Sequence, residues 1–232
     1  MHDPWLSGSI SSVAGSGQPA DPLQFSPYEL KELQRRFGVH GHQPRLAQLF
    51  TSGIDQFEPL RSHTLRRLKE LRPLILAESQ RQNINPMLVA AVLFDEMRHA
   101  KPGEDLPLVA HSGFFSTHGP AQLSLSEMVH QGLLPPNASE AEITKARNQL
   151  LDPEGNVKLL VGKFARLSRA LELPQRLLQA SSSPRDAKAI ATLAYLHNGK
   201  LDYPRRILSS MQDPELHALL YGTHKIQPSQ LI

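Results

Sequence analysis

The sequence predicts an all-α protein built from many short and medium helices. Three observations carry that prediction. Helix starts recur in one form, a capping residue followed by proline. Helix stops are marked by glycine or proline. Alternating runs of β-branched residues are missing, so a small hairpin within 101–118 is the most sheet that is expected.

The elements follow in chain order. Residues 1–25 are rich in Ser, Gly and Pro and read as a flexible lead-in. Ser26-Pro27, with Glu29 three residues after the serine, supplies an N-cap, an N1 proline and a capping-box partner, predicting a helix over 27–37. A second helix is expected over 62–82, kinked or split at Pro73. Asn85-Pro86 opens a third over 86–99. Ser124 with Glu127 and Ser139 with Glu142 are capping boxes for helices over 125–131 and 140–150. Asp152-Pro153, Ser183-Pro184 and Asp213-Pro214 repeat the cap-then-proline start, for helices over 153–172, 184–197 and 214–221, with one more over 203–211. Gly132, Pro174 and Asn198-Gly199 are the clearest stops. The chain divides into a flexible segment 1–25, a helical N-terminal extension 26–61 and a domain 62–232.

Composition excludes several classes. A chain of 232 residues buries about 70% of its unfolded surface without staples. It has no cysteine, which excludes a disulfide scaffold, a cysteine-ligated zinc or iron–sulfur site and a thiol nucleophile. Twenty-five Lys and Arg against 22 Asp and Glu leave a net charge of +3, too little for a dedicated nucleic-acid binder. No stretch of 18 apolar residues exists, so membrane insertion is not expected. The basic runs Arg66-Arg67-Leu68-Lys69 and Arg205-Arg206 read as solvated faces.

One helix carries a chemical signal. Met87 to Phe94 are apolar on every face, the mark of a central, buried helix, and the run leads directly into Asp95 and Glu96. Glu96 continues the stripe of Val89, Val92 and Leu93. A carboxylate at the end of such a helix is partly desolvated, which raises its pKa and suits it to protonating a leaving glycosidic oxygen. Spacing alone also fits two surface residues where the helix meets solvent, and does not choose between Asp95 and Glu96. After a loop over 101–118, Gly119 permits close backbone approach and Gln122 offers an amide that donates and accepts. A plain turn before a helix would read the same way.

The order of these segments resembles the lysozyme-like superfamily, with lytic transglycosylases and goose-type lysozymes nearest in pattern. Asn85 to Glu96 resembles their catalytic helix, which ends in Glu. Gly119-Pro120-Ala121-Gln122-Leu123 resembles their Gly-Leu-Met-Gln motif. Asp152-Pro153-Glu154-Gly155-Asn156 resembles their Asp-Pro-x-x-Asn segment, and Ala191 to Gly199 their late helix ending in Tyr-Asn-x-Gly or Tyr-Asn-Gly. The pattern departs at Met97, where many members have Ser, at Pro120-Ala121, and at His197. The resemblance spans about residues 62–210. It implies a bilobed helical fold with a glycan-binding cleft, and a muramidase cleaving the β-1,4 bond between N-acetylmuramic acid and N-acetylglucosamine without cofactor or metal. Glu96 would be general acid, then base. Gly119 and Gln122 would line the sugar subsite. Asn198, with Tyr195 or His197, would lie across the cleft.

An inverting hydrolase needs a second carboxylate, for which Glu104 and Asp105 are the candidates; a lytic transglycosylase manages with one. Nothing acidic lies between His111 and Gln122, which favours one-carboxylate chemistry. His118 lies there, but a lone loop histidine reads as a surface residue. The N-terminus lacks the basic and apolar regions of an ordinary signal peptide. The expectation is therefore synthesis in the cytoplasm and delivery to the periplasm by a specialised secretion system or phage-type release, with peptidoglycan glycan strands and an immunity or secretion-system protein as partners. Two rival readings stand beside this one. Glu96-Met97-Arg98-His99 and Glu127-Met128-Val129-His130 are Glu-x-x-His pairs of the di-iron type. A non-catalytic helical interaction or secretion component would also carry buried carboxylates. His40-Gly41-His42 is a candidate metal pair that reads more simply as an exposed loop.

Overall fold

The structure is a computed structural model and describes residues 21–39, 58–100 and 117–222. Helix covers 70% of them and no strand occurs among them, so the all-α class holds. The helices are α1 (Pro27–Phe37), α2 (Glu58–Gln82), α3 (Pro86–His99), α4 (Leu125–His130), α5 (Glu140–Leu151), α6 (Pro153–Ala170), α7 (Pro184–Asn198), α8 (Tyr203–Ser210) and α9 (Pro214–Tyr221). The region 101–118 expected to hold a hairpin, with Glu104 and Asp105, lies outside the described residues except for its last two positions, as does His40-Gly41-His42.

Local chemistry explains most boundaries. Ser26 and Ser139 form complete capping boxes with Glu29 and Glu142. Asn85, Asp152, Ser183 and Asp213 each accept a backbone N–H of the first turn. Ser124 caps α4, but the Glu127 side chain does not reciprocate, because it pairs with Arg166. Two expectations fail. Pro73 does not split α2, which runs unbroken through it. Lys69, whose carbonyl loses its donor, and Pro73 are both on the exposed face, where water replaces that bond, while Leu68 and Ile75 pack inward. α6 ends at Ala170, before the predicted residue 172, because Glu172 turns left-handed at φ 53° and Leu173 N–H closes back on the Ser168 carbonyl.

α3 is the centre of the fold. Every residue from Met87 to Arg98 is buried, and α2, α8 and α9 pack around it. A fully buried Val, Leu or Phe here contributes about 1.5–3 kcal/mol. α2 continues onto α6, and α7 bridges α6 and α8. The Phe25 ring lies against Tyr195, Leu33 of α1 is buried, and α2 is already helical at Glu58.

Candidate active site

The C-terminal end of α3 presents two carboxylates into protein rather than solvent: Asp95 is 5% exposed and Glu96 7%. The surface reading of this pair is therefore wrong. α3 is covered to its end because α8 lies across it.

The two carboxylates face different partners. Arg206 of α8 grips Asp95 with a fork, Nε to Oδ1 at 3.0 Å and Nη2 to Oδ2 at 2.9 Å, and also reaches Asp202. His99 Nδ1 adds 3.4 Å to Asp95 Oδ2 and lies 2.7 Å from the Asp95 carbonyl. Arg206 is thus no solvated residue, as its basic run suggested. Glu96 turns to the helix ends of α7 and α8. Its Oε1 accepts from the Tyr203 hydroxyl at 2.8 Å and from Asn198 Nδ2 at 3.2 Å, and lies 3.3 Å from His197 Nε2. Oε2 takes none of these three.

The neighbouring backbone explains the convergence. α7 ends at Asn198, and Gly199 closes it at φ 82°. α8 starts four residues after that glycine, with Tyr203 as its first residue. The left-handed cap reverses the chain tightly enough that the last two residues of α7 and the first of α8 meet one carboxylate. The His197 ring sits between Phe164 and Tyr203, with centroids 5.9 Å from each, and the Arg206 guanidinium lies over the Tyr203 ring at 5.3 Å. Arg206 therefore ties Asp95 and Tyr203 together beside Glu96.

Electrostatics reverse one expectation. Burial pushes Glu96 upward, but the hydrogen bonds from His197 and the Tyr203 hydroxyl outweigh it and hold the carboxyl below its ordinary value. Glu96 therefore rests ionised. Burial, followed by the Lys163 ammonium, holds His197 below its usual value. Lys163 Nζ donates to the His197 carbonyl at 3.1 Å. The neutral tautomer that fits is Nε2–H facing Glu96, with a bare Nδ1, and that Nδ1 is buried without a partner among the described residues. Asn198 Oδ1 is likewise buried without a partner among the described residues. Burial and the Glu96 charge push the Tyr203 hydroxyl well above its usual value, so it donates.

The other predicted residues are placed differently. Tyr195 is fully buried and faces away: its ring meets Phe25, and its hydroxyl accepts from Gln34 Nε2 at 3.5 Å. Of the two late-helix aromatics expected near Glu96, the fold brings only His197. Gly119 and Gln122 lie in the tight turn 118–123, closed by reciprocal bonds between His118 and Leu123. Asn156 pins that turn to α6, accepting from Ala121 N–H at 2.7 Å and donating to the His118 and Leu150 carbonyls. Gly119 has φ +74°, and any Cβ there would collide with the Leu150 carbonyl and the Asn156 amide. Close approach at Gly119 is thus approach to protein. Gln122 sits at φ 48°, accepts from Thr117 Oγ1 at 2.8 Å and donates to the Gly119 carbonyl at 3.3 Å. His118 is buried, not on the surface.

The Glu-x-x-His pairs do not form a metal centre. Arg166 and Gln131 hold Glu127, His130 is exposed, and among the described residues no group of three or more His, Asp or Glu is placed to hold an ion. Tyr203 and Arg206 are the site residues that sequence reasoning missed. The available signal was the stripe Tyr203, Ile207, Leu208 and Met211, which put a hydroxyl-bearing ring on a buried face. No family model, no curated protein and no solved structure matches this chain, so any functional reading rests on the geometry at Glu96.

Proposed function

We propose that the chain is a muramidase of lysozyme-like bilobed fold, cleaving the β-1,4 bond between N-acetylmuramic acid and N-acetylglucosamine in a glycan-binding cleft. One observation carries this reading. A glutamate at the end of a buried helix has one carboxylate oxygen fixed by three groups from a different part of the chain, and the other spared by them.

In this mechanism Glu96 Oε2 carries the proton to the glycosidic oxygen as the C1–O bond breaks. The resulting carboxylate then takes the proton from the substrate's own 6-hydroxyl as O6 bonds to C1, leaving a 1,6-anhydro end. One-carboxylate chemistry of the lytic transglycosylase type is favoured because the adjacent carboxylate, Asp95, is held on both oxygens by Arg206 and His99. Tyr203, Asn198 and His197 orient Glu96. Because Glu96 rests ionised, turnover is expected to rise as pH falls from 7 towards 5, since the acid form must be populated. Delivery through a specialised secretion system or phage-type release, and an immunity or secretion-system partner, belong to the same reading.

The test is digestion of purified peptidoglycan, with mass analysis of the fragments. Anhydro ends from the wild type and none from Glu96→Gln support the reading. Reducing ends without anhydro product would shift it to hydrolysis. One observation favours a second reading, a non-catalytic helical interaction protein: the resting Glu96 is held as a carboxylate, as in a purely structural network. Intact glycan after digestion by the wild type across pH 4–8 would select it.

A further inference from the structure

We propose that a concavity formed by the end of α2, the end of α4 and the middle of α6 is a binding site for a small oxyanion, a carboxylate or a phosphate group. It is separate from the reading of Glu96 and does not depend on it. Its volume is about 210 Å³, and Gln82, His130, Gln131, Gly162, Arg166 and Arg169 line it. No apolar side chain and no acid is among them.

Apart from Gln131, whose amide N–H groups are spent within the wall, the polar side chains of the lining can donate. Gly162, Arg166 and Arg169 lie four and three residues apart on one face of α6. Arg166 spends Nε and Nη2 on Glu127, at 3.2 and 2.7 Å, which fixes its guanidinium plane and keeps Nη1 out of that pair. Glu127 balances that cation. Arg169 is exposed, and its side chain has no hydrogen bond or ion pair among the described residues, so it supplies the uncompensated positive charge. The side chains of Gln82 and His130 also lack such partners there. Other arginines, Arg35, Arg81 and Arg61, are paired with acids, whereas Arg169 shares its unpaired state among the described residues with Arg66, Arg185 and Arg205 and differs from them in lining a concavity.

The wall is also prebuilt. Gln131 Nε2 donates to Glu127 Oε1 at 3.0 Å and to the Leu159 carbonyl at 2.8 Å, and its Oε1 lies against Gly162. A Cβ at 162 would displace it. Glycine inside a helix costs about 1 kcal/mol relative to alanine, and here it seats the amide that closes the concavity. A planar carboxylate or a phosphate fits the Arg169 guanidinium, with Arg166 Nη1, the Gln82 amide and the His130 imidazole as further donors.

The experiment is an amide NMR titration of the full chain with sodium phosphate and, separately, sodium N-acetylglycinate, each at ionic strength held constant with NaCl. Saturable shifts are expected at Gln82, Gln131, Gly162 and residues 166–169. Arg169→Gln should weaken the affinity at least tenfold, and Arg205→Gln, on another exposed surface, should leave it unchanged. The tighter of the two probes identifies the group the site takes. Shifts that never saturate, that spread over all exposed basic residues, or that survive Arg169→Gln would overturn the proposal. Arg169 is exposed, so that variant is expected to keep its fold, which the same spectra report directly.

Discussion

Two buried carboxylates, Asp186 at the start of α7 and Glu96 at the end of α3, are nearly equally hidden yet are held in opposite ways. Asp186 is 1% exposed, and both of its oxygens are occupied. Arg176 grips it with two bonds of 2.7 Å, and Ser182 and the Gln179 N–H add two more. All of those partners lie within ten residues. Arg176 first, and then these neighbours against the opposing effect of burial, hold its carboxyl well below the usual range. Glu96 is held on one oxygen by residues about a hundred positions away, and two polar atoms beside it have no partner among the described residues. Asp186 ties a loop to a helix. Glu96 has the geometry of a group kept for something else.

The strongest way to break this contrast is Glu96→Gln. Loss of glycan cleavage by about 10³-fold is expected. The melting temperature should change little, because the amide oxygen still accepts from Tyr203. Retained cleavage would make Glu96 as structural as Asp186. The reverse test is Asp186→Ala. It should cost about 3 kcal/mol in denaturant unfolding through lost hydrogen bonds to a charge, with turnover per folded molecule unchanged. A fall in turnover without a fall in stability would erase the distinction.

Tyr203→Phe sharpens the comparison at the site. Removing the hydroxyl should cost about 1–1.5 kcal/mol in the transition state, roughly tenfold in kcat, with KM little changed. The pH optimum should move to less acidic values, because Glu96 loses a hydrogen bond that favours its charged form. An unmoved optimum would mean that Tyr203 is only packing.

The smallest effect concerns His99. Burial lowers it, but the bonds and charge of Asp95 outweigh that and hold the imidazole above its usual value. A raised histidine stabilises the fold fully below its unfolded pKa of about 6.5, and that contribution fades as pH rises through the folded value. His99→Gln should therefore cost about 1 kcal/mol at pH 5.5 and less at pH 8.5. Equal costs at both pH values, measured by urea unfolding, would rule out the charged pair.

How much of this was legible in the sequence varies by residue. The caps at Ser26, Asn85, Asp152 and Ser183 were readable because they depend on neighbours two or three residues away. Glu96 was readable as a candidate because it continues a local apolar stripe. Asn198 and His197 were reached by resemblance of pattern, and the structure brings both to Glu96, whereas Tyr195, two residues before His197, points away. A two-residue step on a helix turns the side chain by about 200°, and pattern alone does not set that rotation.

The sequence by itself determined the helical class, most helix starts and the buried character of α3, because these follow from short-range capping, propensity and periodicity. Only the tertiary structure decided which carboxylate meets which partner. The chain reversal at Gly199 brings Tyr203 to Glu96 and the next turn of α8 brings Arg206 to Asp95, across more than a hundred residues. That packing also set the charge of Glu96. Desolvation, which is all the apolar stripe reports, raises the carboxyl, and hydrogen bonds from residues distant in the chain bring it down again.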